Sequence, residues 1–402
     1  MTIKLRYIII FLSIFTVTGI YGQKKEISQA RQIIKSGNNL ENAENMMVKL
    51  LQDSTNKNNT KIWNTLFNAV KKQYEQGNEK LYLKQQYDTT KLFITTKKMF
   101  KILESYDSIE TTPDKDGIIN LKHRDKHADF LNQYRFNLYN GGTFFINKQN
   151  YKEAYAMFDC YIDCIKMPLF SRYNYLQNDK LLSEAAYWTV YCGYKMKDIK
   201  ATLLHAELAS KDTIHHVYLL QYLSETYKMK NDTIRYINYL NEGFNKYPSS
   251  SFFFPRLIDY YSHERDYTSA LRVANIALQT DSTNVVYQFA KASVLLNVGE
   301  YTECIKICDK IIFENDTLAD AYLFAGLAYF NQAVGLQVNR NNRQLIIKNY
   351  QKACPYLERY RGLAPDQKEK WGMPLYKIYY NLNMGKKFEE MDKIIRNGKI
   401  CR

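Results

Sequence analysis

His123 and His127 stand four residues apart, beside Asp125 and Asp129. On a helix that spacing puts both imidazoles on one face, where two nitrogen ligands joined by a third group would hold zinc. As surface residues at a helix start they need no such role, and that is the expectation. The other reactive side chains are the seven cysteines, Cys160, Cys164, Cys192, Cys304, Cys308, Cys354 and Cys401. An odd count leaves at least one thiol unpaired. Cys160 and Cys164, like Cys304 and Cys308, are four apart on predicted helices, with no partner pair at zinc-finger spacing. They are expected to be small core residues. His215 and His216 fall at a junction between elements and are expected to be solvated. The chain carries no glycine-rich phosphate loop, nucleophile elbow or HExxH pattern. No residue is therefore assigned to catalysis, a metal or a cofactor, and the chain is read as not an enzyme.

The elements that would position any site are helices. Only 16 Gly and 7 Pro in 402 residues is too little turn chemistry for many short strands. Aromatic residues make up 14%, including 35 Tyr, which supplies the apolar surface that a disordered chain lacks. The formal charge of +15 is dispersed. One mild concentration, Arg340, Arg343, Lys348, Lys352, Arg359 and Arg361, opposed nearby only by Glu358, reads as a solvated surface, and no nucleic-acid signature accompanies it.

Internal repetition organises the rest. Windows of 34 residues starting at 183, 217, 251, 285 and 319 align without gaps. Their twentieth slots hold Thr202, Tyr236, Ala270 and Cys304. The twenty-fourth hold Ala206, Leu240, Ala274 and Cys308, and the twenty-seventh Ala209, Gly243, Ala277 and Ile311. These slots share one helical face, and mostly small residues there let two helices approach closely. Tyr322, Ala325, Gly326 and Tyr329 show the matching stripe of a first helix, and Gly299 before Tyr301 marks the turn. At these residues the chain resembles the tetratricopeptide-repeat (TPR) family. The window from 135 fits as well, with Leu138, Gly141, Gly142 and Phe145 followed by Tyr151, Ala154, Phe158 and Tyr161.

The resemblance implies an all-α, right-handed superhelical solenoid of antiparallel helix pairs. Residues 23–110 are expected to hold degenerate repeats, with helices near Ile27–Lys35 and Leu40–Gln52 and another starting after Asp88. Thr112–Gly117 is the most linker-like stretch. Residues 118–402 are expected to form the main solenoid, with an insertion around 335–349 and capping helices at the end.

The same resemblance places a concave groove on the first helix of each pair, at the second, fifth, sixth and ninth slots. These are Phe136, Tyr139, Asn140 and Thr143; then Glu184, Tyr187, Trp188 and Tyr191; then Tyr218, Gln221, Tyr222 and Glu225. The expected binding residues are Phe136, Tyr139, Asn140, Tyr187, Trp188, Tyr191, Tyr218 and Tyr222, since aromatic rings favour binding surfaces. Tyr standing in for smaller packing residues explains the same pattern. The lysine–asparagine–arginine set with which some TPR proteins clamp a terminal carboxylate is not in these slots.

Residues 1–22 read as a secretory signal: Lys4 and Arg6, a run of 13 largely apolar residues from Ile8 to Ile20, and a small residue at Gly22. That run is too short to span a bilayer. An exported, periplasmic or envelope-associated protein with no integral membrane segment after cleavage is expected. Asp followed by Ser or Thr and then Ile, Leu or Thr occurs seven times, placing Ser54, Thr89, Ser108, Thr213, Thr233, Ser282 and Thr317 in a pattern similar to the O-glycosylation acceptor of exported Bacteroidetes proteins. Helix capping by Asp, Ser and Thr explains part of it. The resulting expectation is a scaffold that binds protein partners of the cell envelope, with a glycan- or peptidoglycan-binding periplasmic module as the alternative.

Overall fold

A computed structural model describes residues 23–113 and 117–398, so the expected signal segment and Cys401 lie outside the described residues. The chain divides into two compact units between Lys230 and Asn231. Among the described residues there is no strand, and no helix is long and apolar enough to cross a membrane.

In the first unit, residues 23–36 form helix α1, followed by α2 (Leu40–Gln52), α3 (Thr60–Tyr82), α4 (Thr89–Glu110), α5 (Arg124–Asn147) and α6 (Tyr151–Asp163). A 3-10 segment (Pro168–Tyr173) and the single turn α7 (Tyr175–Asn178) lead to α8 (Leu182–Lys195), α9 (Ile199–Leu204), α10 (Ala206–Ala209) and α11 (His216–Met229). The second unit holds α12 (Thr233–Lys246), α13 (Phe253–His263), α14 (Tyr267–Thr280), α15 (Val285–Val298), α16 (Tyr301–Glu314), α17 (Ala319–Val334), α18 (Arg343–Leu363), α19 (Lys368–Asn381) and α20 (Gly385–Gly398). Within each unit consecutive helices pack as antiparallel pairs, giving an all-α solenoid architecture of the tetratricopeptide type.

The 34-residue period is visible in the turns. Ile199, Thr233, Tyr267 and Tyr301 each open a second helix. Lys197, Asn231, Arg265 and Gly299, two residues earlier, all have positive φ, at 57°, 58°, 58° and 86°. Where the first helix ends, the amide of Asp198 reaches back to the Gly193 carbonyl at 3.0 Å, that of Asp266 to Tyr261 at 2.8 Å and that of Glu300 to Leu295 at 3.0 Å. This left-handed C-terminal cap satisfies carbonyls that the helix leaves open. The next residue then caps the following helix. Asp198 accepts from the amide of Ala201, Asp232 from Arg235 and Asp266 from Ser269, at 3.0 to 3.1 Å. One turn thus ends one helix and starts the next.

The small-residue stripe lies where the period puts it. Thr202, Ala209, Leu240, Ala270, Ala274, Ala277, Cys304 and Cys308 are all fully buried. In α15–α17, Ala292, Cys304, Cys308, Ala321, Ala325 and Ala328 make one core layer. Ala206 departs from the pattern and is half-buried, because the second helix of its pair breaks at His205. That imidazole is buried and bonds the Asp159 carboxylate at 2.7 Å.

Three connections depart from a plain repeat of helix pairs. The stretch Thr112–Gly117 joins α4 to α5, which pack on each other; bidentate bonds from Arg124 to Asp107 at 2.8 and 2.9 Å tie them across the loop. Helices α6 and α8 also pack directly, although Tyr151 and Ile199 begin their second helices 48 residues apart rather than 34. The surplus forms the Pro168–Asn178 excursion, which window alignment does not place. Across the insertion expected around 335–349, α17 ends at Val334 and α18 begins at Arg343, so the later part of that stretch is helical.

Close helix approach makes a specific demand on Gly243 in α12. A methyl group there would stand 2.2 Å from the ring of Phe253, which is fully buried. Gly243→Ala is expected to destabilise the protein by about 1–3 kcal/mol in urea unfolding, because the ring must move within a packed layer. Gly362→Ala, in α18 with no atom within 4 Å of the added methyl, is the control and is expected to be neutral or slightly stabilising.

Candidate functional site

The first helices α5, α8 and α11 carry a ridge of aromatic rings. Phe136, 52% exposed, stacks on Tyr139 with centroids 5.8 Å apart and planes 5° apart. Tyr139 in turn meets Phe158 and Tyr161 of α6 edge-on. On α8, Trp188 meets Tyr187 and Tyr191 edge-on at 4.9 and 5.7 Å. Tyr191 contacts Tyr222 of α11 at 5.6 Å, and Tyr194 stacks near the same ring at 4.8 Å. Tyr218 is half exposed, and Asn140 and Thr143 are exposed.

Tyr187 is the exception among the expected groove residues. It is 3% exposed, and its ring lies flat on His215 at 4.4 Å. It is part of the layer between α8 and α11, beneath Trp188 and Tyr222. His215 is correspondingly not a solvated junction residue. Its Nδ1 bonds the buried Asp212 carboxylate at 2.7 Å, and Asp212 also accepts the Ile214 amide at 2.9 Å.

The ridge is polar at its rims. The indole N–H of Trp188 donates to Glu184 at 3.3 Å. Burial, then a hydrogen bond to the Glu184 carboxylate, holds the Tyr139 hydroxyl protonated well above the usual phenol range. Burial, then a hydrogen bond with Tyr151, pushes the Tyr191 hydroxyl up to about 12. These phenols stay neutral and act as hydrogen-bonding groups, not bases.

The chemistry-bearing residues singled out first are placed elsewhere. His123 bonds Glu110 through Nδ1 at 2.5 Å and stacks on His127 at 5.7 Å. His127 is buried with an unpartnered Nδ1, and burial followed by the nearby His123 lowers its pKa to about 4. Among the described residues no group of three His, Cys, Asp or Glu side chains is placed to hold a metal. The six described cysteines are buried and unbridged. Burial pushes the Cys164 and Cys192 thiols up to about 12 and Cys354 to about 11, far from a thiolate nucleophile. A hydrogen bond with Cys304, then burial, pushes the Cys308 thiol up as well.

In the Asp-Ser/Thr pattern, six of the seven hydroxyl residues are exposed and Thr89 is half-buried. Local capping uses the aspartates instead. Asp53, Asp88, Asp212 and Asp281 accept the amide two residues on, at 2.9 to 3.1 Å. Ser108 stands apart: it lies inside α4 and donates its hydroxyl to the Ser105 carbonyl at 2.8 Å.

The support of the ridge escaped the sequence reading. Arg135 in α5 is buried between two rings, 3.7 Å from the Tyr161 centroid and 3.9 Å from that of Tyr175. Its guanidinium donates to Asp179 at 2.6 Å and to the Tyr161 carbonyl at 3.0 Å. The Tyr161 hydroxyl donates to the same carboxylate at 2.6 Å, and the Leu181 amide caps it at 2.9 Å. The cluster fastens the Pro168–Asn178 excursion between α6 and α8. The available signal was an arginine on the apolar stripe Leu131–Arg135–Leu138–Gly142.

No protein-family model matches the chain. It is 29% identical over 94 residues to Hsp70-Hsp90 organizing protein 2 of Arabidopsis thaliana, a stretch that is 22% of this chain and 16% of that relative. The chain thus spans only a small part of the length of the curated relative it matches. Solved structures with similarity include the C-terminal part of a TPR repeat-containing protein from Cytophaga hutchinsonii (14% identity, TM-score 0.43, covering 63% of this chain and 92% of that one). The P58(IPK) TPR domain shows 12% identity and a TM-score of 0.26 over 91% of this chain and 99% of its own, and yeast Tom70 12% and 0.27 over 95% and 92%.

Arg135→Met is expected to cost about 3–5 kcal/mol in urea unfolding, because the Asp179 carboxylate then stays buried without its cation. Adding Asp179→Asn should recover part of that loss; a second variant no more stable than the first would rule out the charge pairing as the cause.

Proposed function

We propose that this chain, a protein of tetratricopeptide-type repeats, is a non-enzymatic interaction scaffold that binds an extended peptide or a helix of a protein partner along α5, α8 and α11. The observation that carries this reading is the aromatic ridge, with Phe136 and Tyr218 half exposed at its two sides and Trp188, Tyr191 and Tyr222 between them. Monomeric surfaces rarely leave such rings side by side unless something covers them. Tyr139 and Asn140 belong to the same contact surface, with Tyr187 supporting it from below. The signal-like residues 1–22 support export and a partner in the cell envelope.

In-cell crosslinking followed by mass spectrometry of the envelope fraction tests this. A near-stoichiometric protein partner is expected, lost in the Phe136→Ala/Tyr218→Ala double variant while its helical circular dichroism is unchanged. Retention on cell-wall glycan with no protein partner would overturn the proposal in favour of a glycan-binding module.

The exposed hydroxyls of the Asp-Ser/Thr pattern support a second part of the proposal, O-glycosylation of the exported chain. Thr213 and Thr233 are exposed and the following residues, Ile214 and Ile234, are each 78% exposed, so a transferase would reach the hydroxyl and the residue after it. Mass spectrometry of protein from its native cells is expected to show added hexose mass on the Thr213 and Thr233 peptides and none on the Ser108 peptide. Unmodified peptides at all seven positions would sink the idea.

A further inference from the structure

Glu184 gives the ridge a charge that its rings do not need for packing. It sits in the first turn of α8, half-buried, one helical turn before Trp188 and two before Tyr191. Residues at that spacing share a face, so carboxylate, indole and phenol form one row. The Trp188 indole N–H, a neutral donor, bonds the carboxylate at 3.3 Å, and the neutral Tyr139 hydroxyl lies near enough to be influenced by it. No lysine, arginine or histidine of the described residues pairs with it, although the chain has 56 Lys and Arg against 41 Asp and Glu. The carboxylate is thus partly withdrawn from water without a paired cation. Neighbouring rings add the negative faces of their π systems, which attract cations. The row already shows that chemistry at its far end, where the Lys195 ammonium lies 5.4 Å from the Tyr191 ring centroid. At the Glu184 end no corresponding cation is supplied by the described residues.

We propose that the ridge selects partners presenting a lysine or arginine side chain, received by the Glu184 carboxylate beside the Tyr139 and Trp188 rings. This rests on the reading of α5, α8 and α11 as a peptide-binding surface. A basic side chain is the occupant that fits, since it replaces the lost hydration of the carboxylate and meets the rings as a cation. Acidic peptides would face Glu184 directly and be repelled.

A randomised peptide display library selected against the purified protein tests the assignment, with a parallel selection on Glu184→Gln. The glutamine keeps an acceptor for the Trp188 indole and removes only the charge. Peptides enriched on the wild-type protein are expected to share a lysine or arginine, and to bind Glu184→Gln at least about tenfold more weakly. Their binding should also fall in the Phe136→Ala/Tyr218→Ala variant. Enriched peptides without a common basic residue, or with equal affinity for Glu184→Gln, would overturn the cation site while leaving the groove intact. Peptides that bind the Phe136→Ala/Tyr218→Ala variant as well as wild type, or no enrichment at all, would overturn the groove reading too.

Discussion

Everything in this architecture depends on how closely two helices can approach. One helical hairpin cannot bury its own apolar stripe, so each pair must press on the next, and the separation is set by the smallest side chains in between. Ala270, Ala274 and Ala277, Cys304 and Cys308, and the contact of Phe253 on Gly243 are the local forms of that constraint. The recurrent turn serves it. A left-handed residue followed by a capping aspartate closes one helix and opens the next within a few residues, so the two helices start face to face.

Where the period is broken, another interaction takes over. The Pro168–Asn178 excursion separates α6 from α8 in sequence, yet those helices still pack. Arg135 makes that possible by fixing the excursion with two aromatic faces and the Asp179 carboxylate. A buried guanidinium is expensive to desolvate, and here the cost is offset by ring contacts and charged hydrogen bonds on most of its surface. One consequence reaches the ridge. Tyr161, which holds Arg135, is also the ring against which Tyr139 is set.

The ridge itself combines two kinds of aromatic residue that look alike in sequence. Tyr187 and His215 stack on each other in the layer between α8 and α11, while Phe136, Trp188 and Tyr218 stand at the surface. Glu184 lies at the junction of these roles, bonded by the neutral Trp188 indole and set among rings. The basic surplus of the chain is dealt with elsewhere: Arg361 lies over Trp371 and pairs with Glu390, and Lys352 lies over Tyr329.

The sequence alone determined the helical class, the 34-residue period, the close-contact slots and the start of α4 after Asp88, which caps it through the Thr90 amide. These are local properties: a cap bonds within three residues, and a stripe follows from 3.6 residues per turn. The resemblance carried by that period pointed to the slots of Tyr139, Trp188 and Tyr222. It did not separate Tyr187 from Trp188, one residue apart, because burial depth depends on where α11 and its His215 come to rest. Nor did it reveal Arg135 meeting Asp179, 44 positions away, or His205 meeting Asp159, 46 away. Those pairings, and the break in α9–α10 that accompanies the second, exist only once neighbouring helices have packed, since the partner of a buried charge is chosen by distance in space and not by spacing along the chain.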